Sequence, residues 1–79
     1  MVRGSEKAVR LSYALKADAP KEAQRHALSE IESALRRTGG DVLKAAEVLE
    51  VGRATLNRWL NEHGRLRKAL EVARRDGPH

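Results

Sequence analysis

Arg53, Ala54, Asn57, Arg58 and Asn61 fall on one side of a helix if residues 52–63 are helical. A guanidinium presents a fork of donors that matches the paired acceptors of guanine and the oxygens of phosphate. A carboxamide both donates and accepts, as base edges do. The chemistry open to this set is the reading of a polyanion. Covalent or metal chemistry finds no support. Cysteine is absent, which excludes disulfides and thiolate zinc sites. His26, His63 and His79 show no i, i+4 pairing, and His63 suits the negative end of a helix dipole. No Ser/His/Asp arrangement, phosphate-cradling glycine loop or inward carboxylate pair is present. The expectation is a non-enzymatic protein without a cofactor or metal.

These side chains need a support, and the chain reads as all-α. Ala, Leu, Glu, Lys and Arg dominate, with no β-branched alternation. Five helical segments are predicted. The first, about Ser5–Ala17, has Ser5 as N-cap and Ala8, Leu11 and Leu15 on one face. The second, about Pro20–Thr38, begins with Pro20 near its first position. It carries the stripe Ala23, Ala27, Leu28, Ile31, Ala34 and Leu35, and Gly39 ends it in a left-handed conformation. Asp41–Glu50, capped by Asp41, turns Val42, Ala45, Ala46 and Leu49 inward. Gly52–His63 buries Leu56, Trp59 and Leu60, and Gly64 follows as a breaker. Arg65–Arg75 repeats the spacing with Leu66, Ala69, Leu70 and Ala73. Trp59 belongs to the core, and Tyr13 is expected half-buried.

The third and fourth segments are joined by Glu50-Val51-Gly52 alone. Helices linked this tightly cross steeply, which requires small residues at the crossing and an apolar plug in the corner. Ala45-Ala46 and Val51 supply them. A small residue at 46 with apolar residues at 49, 51, 56 and 59 is the spacing of a DNA-binding helix-turn-helix.

The charge agrees. Of 79 residues, 16 are Lys or Arg and 11 Asp or Glu, giving a net charge of +5. The basic excess lies in residues 1–16 and 51–79, whereas 17–50 is mildly acidic. A polyanionic partner fits, nucleic acid before membrane. No apolar run approaches the roughly 18 residues of a membrane span. No leader-like apolar stretch opens the chain, so a cytoplasmic, nucleoid-associated location is expected. The core is thin, with 17 Leu, Val and Ile, so self-association is the expected supplement. The organisation expected is a basic helical extension over 1–19, a helix-turn-helix domain over 20–64, a basic helix over 65–75 and a disordered tail over 76–79.

The run Gly40-Asp-Val-Leu-Lys-Ala-Ala-Glu-Val-Leu-Glu-Val-Gly-Arg-Ala-Thr-Leu-Asn-Arg-Trp-Leu-Asn-Glu-His-Gly64 resembles the Fis-type helix-turn-helix. That family includes nucleoid proteins and the C-terminal domains of NtrC-type activators. Its pattern is Gly, a capping polar residue, two Ala, Leu-Gly-Ile/Val, Arg-x-Thr-Leu and a closing Leu. The likeness extends upstream to Glu22. It implies a small helical bundle that forms a homodimer through helix 20–38 and reads double-stranded DNA with helix 52–63. Arg53 would reach guanine, Thr55 a phosphate, and Asn57 and Arg58 a base or phosphate. The candidate DNA-binding residues are Lys44, Gly52, Arg53, Ala54, Thr55, Asn57, Arg58 and Asn61, with Arg65, Arg67 and Lys68 of the last segment.

The chain departs from the pattern at three places. Glu50 stands where the family has Gly in a left-handed conformation, Trp59 replaces a commonly basic residue, and the last segment runs beyond the family domain. The functional expectation is a transcriptional regulator or a nucleoid or recombination accessory factor of bacterial or phage type. Two alternatives stand beside it. One is a protein-interaction module of adaptor or antitoxin type, with residues 1–17 holding a protein partner. The other is a DNA-packaging factor like a phage terminase small subunit.

Overall fold

A computed structural model describes residues 6–76. Five helices follow one another: α1 (Glu6–Ala14), α2 (Lys21–Arg37), α3 (Val42–Leu49), α4 (Arg53–Glu62) and α5 (Gly64–Asp76). No strand occurs among the described residues. Ser5, the expected cap of α1, lies outside them, as do Gly77, Pro78 and His79. Asp76, expected in the tail, is the last residue of α5.

The helix boundaries follow from local chemistry. The α1 helix stops at Ala14, three residues before its expected end, and residues 15–19 turn through Lys16 N–H to Tyr13 and Ala19 N–H to Lys16. Pro20 precedes α2 as its N-cap rather than standing inside it, and its carbonyl accepts from Gln24 at 3.0 Å. At the far end the Gly40 N–H reaches the Leu35 carbonyl at 2.8 Å and the Gly39 N–H reaches Arg36 at 3.1 Å. This paired closure is the Schellman arrangement. It needs positive φ, and Gly39 (67°) and Gly40 (84°) provide it. Asp41 caps α3 as expected, its Oδ1 accepting from the Lys44 N–H at 3.1 Å. Gly64 does not break the chain. The break falls at His63, extended at φ −124° and ψ 104°, and Gly64 already belongs to α5.

One core joins all five helices. Leu11 of α1, Ile31 and Leu35 of α2, Leu49 of α3, Leu56 of α4 and Leu66 of α5 are almost wholly buried, together with Trp59. Each buried Leu or Ile stabilises by about 1.5–3 kcal/mol relative to exposure. The α1 and α5 helices therefore contribute to the same interior as the helix-turn-helix. The radius of gyration, 12.0 Å, is near the roughly 12 Å of a packed chain this long, so α1 is no projecting arm.

The α2 helix is central. It packs against α1, α3 and most extensively α5. Its expected stripe is inside: Ala27, Ile31, Ala34 and Leu35 are buried, and Ala23 and Leu28 lie against the core. Residues such as Glu22, Arg25, His26, Ser29, Arg36 and Arg37 remain outward. Large exposed apolar side chains among the described residues are confined to α1 (Val9, Tyr13) and α3 (Leu43, Val48). Tyr13 is 66% exposed rather than half-buried. Its ring instead carries the Lys16 ammonium, 5.6 Å from the centroid.

Candidate nucleic-acid interface

The bend between α3 and α4 is closed by the backbone. Val51 N–H donates to Ala46 at 3.0 Å and Glu50 N–H to Glu47 at 3.1 Å. This requires a left-handed residue at 50, and Glu50 takes that role at φ 61° and ψ 37°. It is the one non-glycine residue with positive φ among the described residues. Ala45 and Ala46 are buried where the helices meet, and Val51 packs against the core from the corner. A β-carbon in the left-handed region costs about 1–2 kcal/mol. The turn is therefore held against local preference by the burial of Leu49, Leu56 and Trp59 on either side.

With those residues committed inward, α4 shows its polar side outward. Arg53, Ala54, Asn57, Arg58 and Asn61 are all exposed, and Thr55 is half-buried. Arg53, Asn57 and Asn61 repeat every four residues and form one ridge. Gly52 precedes the helix in an extended conformation (φ −73°, ψ 152°) and offers no side-chain cap. The first-turn amides of α4 thus lack a capping oxygen, which suits a phosphate at the positive end of the helix dipole. At the start of α3, by contrast, the Asp41 carboxylate already takes the Lys44 amide. The Lys44 side chain is exposed.

The candidates on α5 divide. Arg67 Nη2 donates to Asn61 Oδ1 at 3.1 Å, which carries the α4 ridge onto α5. Arg65 and Lys68 lie on the opposite side of α5, in the groove against α2 that Glu32 and Arg36 also line. Arg65 grips Glu32 through Nε at 2.5 Å and Nη2 at 3.3 Å. That hydrogen bond, and then the carboxylate charge, raises the Arg65 pKa above its ordinary value. The structure therefore joins Arg53, Asn57, Asn61 and Arg67, and sets Arg65 and Lys68 apart from them. Arg58 occupies the other flank of α4, in a groove shared with Lys16 and Gln24.

Arg74, a basic residue of the last segment that could equally track a DNA backbone or solvate the helix, instead turns its Nε to the Gly40 carbonyl at 3.2 Å, a contact that left no sign in the sequence. Residues 34 apart carry no mutual pattern in the chain. Ala14, buried beside Leu11, was also outside the expected stripe. No group of three His, Asp or Glu that could hold a metal ion occurs among the described residues. None of their helices is long and apolar enough to cross a membrane.

A tight bend between two short helices, with small residues at the crossing and a cationic and carboxamide ridge outward, defines a helix-turn-helix of DNA-binding class. Residues 29–63 match the family model of the bacterial regulatory protein, Fis family, from mid-α2 to the end of α4. Over those residues the helix-turn-helix is similar to the Fis type. No curated protein and no solved structure matches the chain.

Proposed function

We propose that this chain is a sequence-preferring DNA-binding protein, a transcriptional regulator or an architectural accessory factor, that sets α4 in the major groove. The observation that carries the reading is the exposure of the Arg53–Asn57–Asn61 ridge on a helix of the Fis-type motif. Arg53 is the residue for a guanine edge. Lys44 and the amides after Gly52 suit phosphates, with Thr55 and Arg58 on the flank of α4. A nucleoid-associated, cytoplasmic location goes with that role.

The homodimer through helix 20–38 would have to use what α1, α3 and α5 leave uncovered on α2. That side holds charged and polar residues and no large exposed apolar one. Apolar burial drives association, so the reading favoured here is a chain that meets DNA as a single copy. Two copies could still share a palindrome by binding side by side.

A second reading has its own observation. Val9 and Tyr13 are exposed beside a groove shared by α1 and the Glu50–Gly52 turn. That patch favours a protein partner for residues 1–17, as an interaction module would use.

Affinity for a pool of short duplexes, measured across a salt series with Arg53→Ala alongside, decides between them. DNA reading gives a steep fall of affinity with salt. It also gives a loss of about 1–3 kcal/mol of base discrimination in the variant. An interaction module shows neither. A salt slope that Arg53→Ala leaves unchanged, with no loss of discrimination, would mean sequence-blind coating instead.

A further inference from the structure

The α5 helix is braced from two sides. Arg65 holds Glu32 of α2 near its start, and Arg74 holds the Gly40 carbonyl near its end. Arg67 and Arg74 lie two turns apart on the same side of α5, and both reach the helix-turn-helix: Arg74 at the α2–α3 turn, Arg67 at Asn61 of α4. A helix fixed at both ends holds its middle side chains in place. Arg67 is therefore delivered to Asn61 by the fold.

The direction of that hydrogen bond matters for recognition. A free asparagine pairs with adenine by two bonds, its amide oxygen accepting from N6 while its NH2 donates to N7. In this chain the Asn61 oxygen is turned to Arg67 Nη2 at 3.1 Å. With one lone pair of that oxygen taken, what the pair presents outward is chiefly the Asn61 NH2 and the remaining N–H groups of Arg67, a donor-rich set. Guanine offers two acceptors in the major groove, N7 and O6, whereas adenine offers an acceptor beside a donor. We propose that Arg67 is a positioning residue that sets the base preference of Asn61, turning a carboxamide that would read adenine into a donor-rich pair that favours guanine. The inference rests on the placement of α4 in the major groove proposed above.

The test is selection from a randomised duplex library by the full chain and by its Asn61→Ala, Arg67→Ala and Arg67→Lys variants, with thermal melting of each. Arg67 is exposed, so its substitutions leave the core untouched. The expected result is a guanine position that Asn61→Ala loses. Arg67→Ala moves that position to adenine, the guanine-over-adenine ratio falling about 5- to 150-fold. Arg67→Lys, which keeps a donor for the oxygen, retains guanine. A merely structural or phosphate-contacting Arg67 would weaken all sequences alike, and that result overturns the inference, as does an unchanged preference in Arg67→Ala. Failure of the unaltered chain to enrich any duplex overturns the DNA reading itself, and the inference with it. Enrichment without an Asn61-dependent guanine overturns the inference alone.

Discussion

Arg74 and Gly40 fasten the last helix to the turn that starts the helix-turn-helix. The Arg74 Nε donates to the Gly40 carbonyl at 3.2 Å, while the missing side chain of Gly40 leaves the space that Arg74 fills. A β-carbon at 40 would run into Arg74 Cγ and come within 3.1 Å of the Arg74 backbone nitrogen. Gly40 also sits at φ 84°, where L side chains are strained.

Gly40→Ala should therefore be destabilising on two counts, conformation and overpacking, for a combined loss of about 2–4 kcal/mol. In a domain this small each kcal/mol lowers Tm by about 4–8 °C, so thermal unfolding by circular dichroism should show a fall of roughly 10 °C or more. Gly64→Ala is the contrast: nothing lies within 4 Å of its β-carbon position, and the residue is helical. There Ala should be neutral or stabilising, by no more than the roughly 0.5–1 kcal/mol of a helix interior, since Gly64 opens α5. Equal effects at the two glycines would contradict the packing described.

Glu50→Gly should stabilise. The left-handed turn is needed by the Val51 N–H bond to Ala46, and glycine adopts it without the penalty Glu50 carries. The expected gain is about 1 kcal/mol, read as a Tm higher by about 4–8 °C. An unchanged or lower Tm would mean that the Glu50 side chain stabilises the turn by some other route.

Much of this fold was legible in the chain because its signals are local. Asp41 as a cap, Gly39 as a left-handed stop and Glu50 in a glycine's place each depend on a few neighbouring residues. The α4 ridge was legible too, since Leu56, Trp59 and Leu60 fix which side faces out. What covers an apolar stripe is a different matter. Ala27, Ile31 and Leu35 show that something must pack on α2, but spacing cannot distinguish a partner subunit from the chain's own α5. The Arg65–Glu32, Arg67–Asn61 and Arg74–Gly40 contacts were hidden for the same reason, because they depend on how α5 folds back. Gly64 misled through its type alone: a glycine can begin a helix as well as end one.

With α2 covered from within, the chain should sediment as a monomer of 8.8 kDa at tens of micromolar by analytical ultracentrifugation. A stable dimer would show that the polar side of α2, the Val9 and Tyr13 patch, or Leu43 and Val48 of α3 associates after all. Tyr13→Ser together with Val9→Ser would then test the α1 patch: a dimer that survives both uses α2 or the exposed Leu43 and Val48 of α3.

Trp59 is 2% exposed and the single tryptophan, so its fluorescence reports on the core alone. Emission should be that of a buried indole and should change little when a duplex is added. Strong quenching would indicate base stacking and would place Trp59 in the interface.

If the outward side of α4 enters the DNA groove, its backbone must sense the duplex. Backbone amide shifts of isotopically labelled protein, followed by NMR during titration with an enriched short duplex, address this most directly. The largest changes are expected over residues 52–61, with Lys44 and Arg67 beside them and little change along α2. Changes confined to α1 or α2, with residues 53–61 undisturbed by saturating duplex, would contradict it.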